Sequence, residues 1–253
     1  MSVSVRYAAA YAYSPRGQSE MSVNSRKIRD LVKSADPGAL KSIAKRVLEG
    51  FHGGLFPGFF GPDVTLVPIP GRAPIKDQGS LWVAERICNA LLAAGLGCEV
   101  WPAIRRIHAV QKSAFAAPGG RPDLQTHIDS LRVAAGFPPT TKLLLVDDFV
   151  TKGRTILAAA MVLRRAIPSA QVQAFAVVRT MGLVPDVEKI RWPIVGEIQS
   201  IGDDASRIPQ WLLETVGRID ILRTGRNGSD RRVIVSRRSP YLAAGEQTAA
   251  AVG

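Results

Sequence analysis

The chain has few of the residues that mark disulfide-rich, metal-binding or membrane-spanning proteins. Its 253 residues include two cysteines and three histidines, which cannot form a disulfide framework and do not follow metal-ligand spacing. There is no run of about 18 apolar residues of the kind that spans a bilayer. The first residues, MSVSVRYAAAYAYSPRG, lack the basic start and apolar core of a signal peptide. We therefore expect a cytoplasmic protein in which Cys88 and Cys98 are buried structural thiols.

The chain also lacks the phosphate-binding signature GxxxxGK[ST], which argues against a P-loop NTPase. With 46% hydrophobic residues it can bury a sizeable core. We expect a strand-and-turn segment at 1–24, one main domain at 25–216 and a basic, disordered tail at 217–253.

Acidic residues are too few to balance the basic ones, and the net charge is +12. The tail holds seven Arg against three acids, a net of +4, which leaves +8 for the rest of the chain. An anionic substrate explains part of this excess and a solvated surface explains another part. Contact with nucleic acid stays an open alternative.

The most informative segment begins at Lys142 and reads KLLLVDDFVTKGRT. Leu143–Val146 is a short apolar run typical of a strand that is covered on both faces in a parallel sheet. A ligand is expected at the carboxyl end of such a strand. Asp147 and Asp148, which follow, can accept hydrogen bonds from sugar hydroxyls or face a hydrated cation.

A small, basic loop follows the two acids and offers backbone N–H groups, hydroxyls and positive charge. Its residues are Thr151, Lys152, Gly153, Arg154 and Thr155. Ile156–Ala166 is predicted to be a helix, so the loop lies at a helix amino terminus, where a phosphate is favoured. Gln171–Val178 then completes a strand, helix, strand unit. The whole segment predicts a site for a phosphorylated sugar.

The remaining pattern predicts an α/β protein with a twisted, mainly parallel sheet and helices on both faces. Helices are expected in Ser25–Glu49 and Leu81–Ala94, strands at Val64–Val67 and Val100–Ile107, and a long polar insertion at Ala109–Asp129. The acid pair has alternative interpretations, a receiver-type acidic pocket or a nucleotidase-like metal site. Receivers, however, carry such acids near their first strand, and here the acids lie in the middle of the chain.

The motif VDDFVTKGRT resembles the ribose-phosphate signature of type I phosphoribosyltransferases, and the arrangement of the whole chain resembles their ComF-like, competence-associated branch. VTLVPIPGR followed by KDQGS is similar to the strand and pyrophosphate loop of that branch. The resemblance implies a type I phosphoribosyltransferase-like fold. It also implies that Asp147 and Asp148 contact the ribose hydroxyls of phosphoribosyl pyrophosphate, with catalytic roles, and that loop 151–155 binds the 5'-phosphate. The pyrophosphate would meet Pro70, Gly71, Arg72 and Lys76.

The resemblance further implies a mobile segment, Gln111–Arg121, with Lys112 and Arg121 as its charges. Mg²⁺ would arrive with the ligand, near the two acids, without dedicated metal residues. Two positions depart from the family pattern, because Lys152 stands where a Thr is usual and Arg154 where a small residue is usual. No cysteine precedes Cys88, so the zinc cluster of many ComF-like proteins is not expected.

The function that this resemblance implies is Mg²⁺-dependent transfer of phosphoribose to or from a nitrogenous acceptor, a step of nucleotide metabolism. The alternative is a non-catalytic protein of the same fold that senses phosphoribosyl pyrophosphate or assists DNA metabolism and competence. The segment Arg179–Asp204 is expected to contact the acceptor. Neither the acceptor nor the oligomeric state can be read from the sequence.

Overall fold

A computed structural model gives an α/β fold built on one large twisted sheet. It describes residues 3–75, 80–111, 122–182, 186–210 and 212. In chain order the elements are β1 (Ser4–Tyr13), α1 (Glu20–Lys33), α2 (Pro37–His52), β2 (Val64–Pro68), α3 (Val83–Ala93), β3 (Glu99–Val100), β4 (Ile104–Arg106), α4 (Leu124–Asp129), β5 (Leu131–Val133), β6 (Lys142–Val150), α5 (Arg154–Ala166), β7 (Gln171–Thr180), β8 (Arg191–Ile201) and β9 (Asp204–Pro209). None of the helices in these ranges is long and apolar enough to cross a bilayer.

The large sheet has seven strands in the order β3-β2-β6-β7-β1-β8-β9. The pairings from β3 to β1 are parallel, whereas β8 and β9 add an antiparallel ribbon. Strands β4 and β5 form a separate antiparallel pair. The predicted class, a mainly parallel α/β sheet with helices on both faces, is confirmed.

Alternating side chains of the central strands feed two cores on opposite faces of the sheet. In β6, Leu143 and Leu145 pack on the face covered by α4 and α5, while Leu144 and Val146 pack on the face covered by α2 and α3. A strand buried on both faces reads as a continuous apolar run, which is why β6 was recognisable.

Local signals fix the helix starts. Asp36 accepts a hydrogen bond from the Ala39 N–H at 2.8 Å, and Pro37 is the first residue of α2. This helix cap separates the two helices α1 and α2 within Ser25–Glu49.

Several sequence expectations need correction. Val100–Ile107 is not one strand, because Val100 ends β3 in the large sheet and Ile104–Arg106 pairs with β5 in the small one. Cys88 is buried as expected, but Cys98 is exposed.

Two regions contribute more to the fold than their sequences suggested. Strand β1, within segment 1–24, lies between β7 and β8 in the sheet. The mixed stretch from Arg191 onward forms β8 and β9, where Pro193 falls beside a register shift and hides the strand pattern. The tail predicted at 217–253 lies outside the described residues.

Candidate functional site

The sheet reverses its strand order between β2 and β6, and the candidate site lies at this point. From β2 the chain crosses through α3 to β3 on one side, whereas from β6 it crosses through α5 to β7 on the other. The loops after β2 and β6 therefore diverge and leave a crevice at their carboxyl ends, the place where open α/β sheets bind ligands. The Ile69 N–H donates to the Val146 carbonyl at 2.9 Å, which holds the start of the loop after β2 against strand β6.

A pocket of about 240 Å³ opens at this crevice. Its lining contains one of the two predicted acids and the whole basic loop. The lining residues are His127, Asp147, Phe149, Val150, Thr151, Lys152, Gly153, Arg154, Thr155 and Ile156. Asp148 is not among them. The structure brings Asp147 and loop 151–155 to one pocket and leaves Asp148 outside the lining, and the shared ligand site of both acids and the loop stays a prediction.

The loop is shaped by Gly153, which caps α5 in the left-handed region with φ +92°. A Cβ at this position would lie 2.7 Å from two carbons of the Ile198 side chain in β8. Only glycine fits both the backbone angle and the close approach. The first N–H groups of α5 have no side-chain cap from Gly153, and unpaired donors of this kind suit an anion.

Asp147 and Asp148 have different surroundings, although their carboxyl groups lie within hydrogen-bonding reach of each other. Strand β6 continues to Val150, and Asp147 pairs in register with Ala176 of β7. The packing does not alternate strictly here, because Val146 and Phe149 pack in one core and Val150 packs in the other. Asp147 is half-buried on the pocket side, and its Oδ1 accepts the Asp148 N–H at 2.8 Å. Burial, then the neighbouring Asp148 carboxylate, raises the pKa of Asp147 well above its ordinary range, and Lys33 offsets only part of this rise.

Asp148 already has a cationic partner. Its Oδ2 accepts from Lys33 Nζ of α1 at 2.5 Å, and the same ammonium lies 4.7 Å from the centroid of the Phe149 ring. Lys33 of α1 therefore contacts the acid pair through Asp148. Of the two acids, Asp147 is the one that faces the pocket.

The two cations of the basic loop both pair with one acid that the sequence did not reveal. Lys152 Nζ and Arg154 Nε each lie 2.5 Å from an Asp204 carboxylate oxygen at the start of β9. Partial burial raises the pKa of Asp204, but the hydrogen bonds from Arg154 and Lys152 outweigh this and hold the pKa far below its ordinary value. The extra charge that distinguished this loop is thus internally paired.

Two further side chains border the pocket from the small sheet and α4. His127 Nδ1 lies 3.4 Å from the Thr155 hydroxyl, and burial, then the charges of Arg106 and Arg154, lowers the pKa of His127 to about 4. This imidazole is neutral at pH 7. Arg106 is buried and donates to the Gly71 carbonyl and the Ser130 hydroxyl, each at 2.5 Å. The sequence pattern did not single out Arg106, which lies in a short strand.

The predicted pyrophosphate loop lies near the pocket but not in its lining. Pro70 is buried, Gly71 and Arg72 are exposed, and the Arg72 carbonyl accepts the Val110 N–H at 2.8 Å. Arg106 ties this loop to the small sheet through Gly71. Lys76, Lys112 and Arg121 lie outside the described residues.

Metal ligands are sparse at the site. Across the described ranges, no group of three or more His, Cys, Asp or Glu side chains could hold an ion. Among the described residues, Asp147 is the only carboxylate on the pocket wall. A single carboxylate suits Mg²⁺ that keeps its waters and arrives on a phosphorylated ligand, and it does not suit a resident metal centre.

No family model matches the chain, and no curated protein does. Among solved structures, the chain is similar to a hypoxanthine phosphoribosyltransferase from Staphylococcus aureus, with 10% identity over 60% of this chain and 70% of that one and a TM-score of 0.32. It is also similar to a glutamine mutant from an analysis of an invariant aspartic acid in such enzymes (15% identity, 63% and 74% covered, TM-score 0.31) and to the Trypanosoma cruzi enzyme (15%, 63% and 71%, 0.28). Likenesses this distant assign neither a family nor an activity to the chain.

Proposed function

We propose that the chain binds phosphoribosyl pyrophosphate and transfers phosphoribose to or from a nitrogenous acceptor. The observation that carries this proposal is the joint presence of Asp147 and the amino terminus of α5 on one pocket at the strand-order reversal. A carboxyl accepts hydrogen bonds from ribose hydroxyls, and the first turn of a helix binds a phosphate. The motif resemblance to type I phosphoribosyltransferases supports the same ligand.

The proposed reaction exchanges one bond at the anomeric carbon. The bond to the pyrophosphate oxygen breaks, the pyrophosphate leaves with the electron pair, and a bond to the acceptor nitrogen forms. Positive charge develops on the ribose as the leaving group departs. Asp147 has no cationic partner within hydrogen-bonding distance in the described part of the chain, and a cation that develops beside it would favour its ionised form and be stabilised by it.

Mg²⁺ fits this pocket as a cation that is carried by the ligand. Asp147 would face it, and the loop at Gly71 would lie on the pyrophosphate side. When bound, Mg²⁺ would neutralise the charge of the leaving pyrophosphate. The chain's own residues would orient the ribose and the 5'-phosphate.

Calorimetric titration with phosphoribosyl pyrophosphate and Mg²⁺ tests the binding step. Asp147→Asn should weaken binding by about tenfold or more, because a charge-assisted hydrogen bond contributes roughly 1.5 to 3 kcal/mol. Asp148→Asn is the matched control, because Asp148 is not among the residues that line the pocket, and it should weaken binding less. Unchanged affinity in the double variant would exclude the ribose assignment.

A second candidate is a sensor that binds the same ligand without turnover. The observation that favours it is charge pairing, since Lys152 and Arg154 are engaged by Asp204 and Asp148 by Lys33. Pyrophosphate release measured across a panel of purine, pyrimidine and pyridine acceptors separates the two. Tight ligand binding without release for any acceptor would support the sensor, including an accessory role in DNA metabolism or competence.

A further inference from the structure

Arg179, at the carboxyl end of β7, is a buried cation with incomplete hydrogen bonding. Its exposed fraction is 6%, and its Nε has no hydrogen-bond partner among the described residues. One terminal nitrogen faces the sulfur of Met181, which is a weak acceptor. The guanidinium lies 5.0 Å from the centroid of the partly exposed Trp192 ring. A buried donor left in this state is costly unless a ligand completes its hydrogen bonds.

A second guanidinium lies in the same cluster. Arg207 extends from β9, and its Nη2 donates to the Thr180 carbonyl at 2.7 Å. The buried Tyr7 hydroxyl is its other hydrogen-bond partner. Both partners are neutral, so they satisfy hydrogen bonds without cancelling charge. Burial lowers the pKa of Arg179, the Tyr7 side chain offsets part of this, and the charge of Arg207 lowers the pKa further.

No carboxylate compensates this pair in the part of the chain that the structure describes. The ion pairs at the site involve other cations, namely Lys33, Lys152 and Arg154. A buried cation near a half-buried one is unfavourable without a counterion, whereas the same arrangement with a bound anion is stable. The imbalance therefore points to a ligand that carries negative charge.

The cluster adjoins the pocket through a pair of threonines. The Thr180 hydroxyl lies 3.1 Å from the hydroxyl of Thr151, which lines the pocket, and Arg207 is bonded to the Thr180 carbonyl. We propose that Arg179 and Arg207 form an anion subsite for an acidic group, a carboxylate or a phosphate, on the acceptor. A guanidinium fork matches the geometry of either group. The acceptor part of this proposal depends on the proposed transfer reaction, and the anion subsite does not.

Thermal unfolding in sodium sulfate and in sodium chloride at equal ionic strength tests the anion subsite. Sulfate should raise the Tm of the wild-type chain more than that of Arg179→Met or Arg207→Met. Arg105→Met is the matched control, because the Arg105 guanidinium also lies over a tryptophan, 5.3 Å from the Trp82 centroid, but is exposed. It should keep the full sulfate effect. Equal sulfate effects in all four proteins would overturn the subsite.

Two calorimetric titrations assign the anion to the acceptor. Pyridine-3-carboxylate and pyridine-3-carboxamide differ in the charge of one group, and the wild-type chain should bind the acid roughly tenfold or more tightly, with that preference lost in Arg179→Met. Equal affinity for the two, or no binding of either, would overturn an acidic acceptor. Phosphoribosyl pyrophosphate should bind Arg179→Met and the wild-type chain equally. Loss of phosphoribosyl pyrophosphate binding in Arg179→Met alone would overturn a separate subsite. Absence of this binding in both proteins would refute the proposed function and leave the sulfate result unaffected.

Discussion

The charges around the pocket fall into two groups, compensated and uncompensated. Lys152 and Arg154 share Asp204, and the phosphate loop that they belong to is closed by its own ion pairs. Arg179 of β7 and Arg207 of β9 share no carboxylate among the described residues. The number of basic residues in a segment is therefore a poor guide to where an anion binds. What matters is whether the chain supplies the counterion itself.

The acid pair shows the same contrast on a smaller scale. Asp148 is paired with Lys33, whereas Asp147 faces the pocket without a close cation in the described chain. Of the two neighbouring acids, only Asp147 is among the described residues that line the pocket. The uncompensated members of both groups, Asp147 and the two arginines, are those that we assign to ligands.

The compensated loop depends on its close approach to β8, and a side chain at Gly153 should disrupt it most. Gly153→Ala combines a left-handed backbone with a contact of 2.7 Å to Ile198, so we expect it to lower the free energy of unfolding by about 2 to 4 kcal/mol. Gly95→Ala is the control, because Gly95 also has a positive φ, +79°, but open space around it. It should cost about 1 kcal/mol. Equal losses in urea unfolding would contradict the packing explanation.

Removing the shared counterion should convert the compensated region into an uncompensated one. We expect Asp204→Asn to destabilise the fold by about 1 to 3 kcal/mol and to strengthen the binding of inorganic phosphate by the freed Lys152 and Arg154. Asp203→Asn, an exposed neighbour, should change neither property. Unfolding free energies and phosphate titrations of the two variants provide the measurement. Weaker phosphate binding in Asp204→Asn would show that the ion pairs position the loop for the anion.

The same acid should make stability dependent on pH. The pKa of Asp204 is lower in the folded than in the unfolded chain, so the unfolded state takes up the proton first. The stabilisation is present above about pH 4, the ordinary range of an aspartate, and is lost as the pH falls toward the folded pKa. Wild-type stability should therefore drop more steeply than that of Asp204→Asn on acidification. Parallel pH profiles would contradict the low folded pKa.

The sequence predicted local parts of this site and missed the long-range ones, for a physical reason. Strand β6, loop 151–155 and helix α5 are consecutive, and their apolar run, glycine and helix stop are visible in the chain itself. Asp204 and Arg207 come from β9, which folds back beside the loop through pairing with β8. No local pattern encodes that approach.

The sequence also did not reveal that Asp147 lines the pocket and Asp148 does not, for a related reason. The apolar run ends at Val146, whereas the backbone hydrogen bonds of β7 continue the strand to Val150. Pairing with β7 therefore places Asp147 and Asp148 inside the strand, and the side-chain pattern alone does not reveal this pairing.

We expect Asp147 to lower the free energy of unfolding, although it serves ligand binding. Its pKa is raised in the folded state, so its ionisation costs stability as the pH rises from about 4 through the folded value. Asp147→Asn should thus raise the unfolding free energy by about 1 kcal/mol at neutral pH, with the gain growing from acid toward alkaline conditions. Asp148→Asn should not give a gain, since it breaks the bond with Lys33. Urea unfolding at several pH values separates the two variants. A gain in unfolding free energy in Asp148→Asn alone would make Asp148, and not Asp147, the uncompensated acid.

Lys33 gives the smallest expected effect and the finest test of compensation. Its ammonium is about half exposed, with 53% of the side chain accessible, while Asp148 is at 15%. An ion pair with one exposed partner contributes less than about 1 kcal/mol and is screened by salt. Lys33→Met should cost that much at low ionic strength and less in high salt, whereas Lys27→Met, an exposed lysine on the same helix, should cost nothing measurable. If Lys33→Met instead weakens phosphoribosyl pyrophosphate binding as strongly as Asp147→Asn does, the compensated acid also contributes to the ligand site, because Lys33 is then needed to keep Asp148 in place beside Asp147.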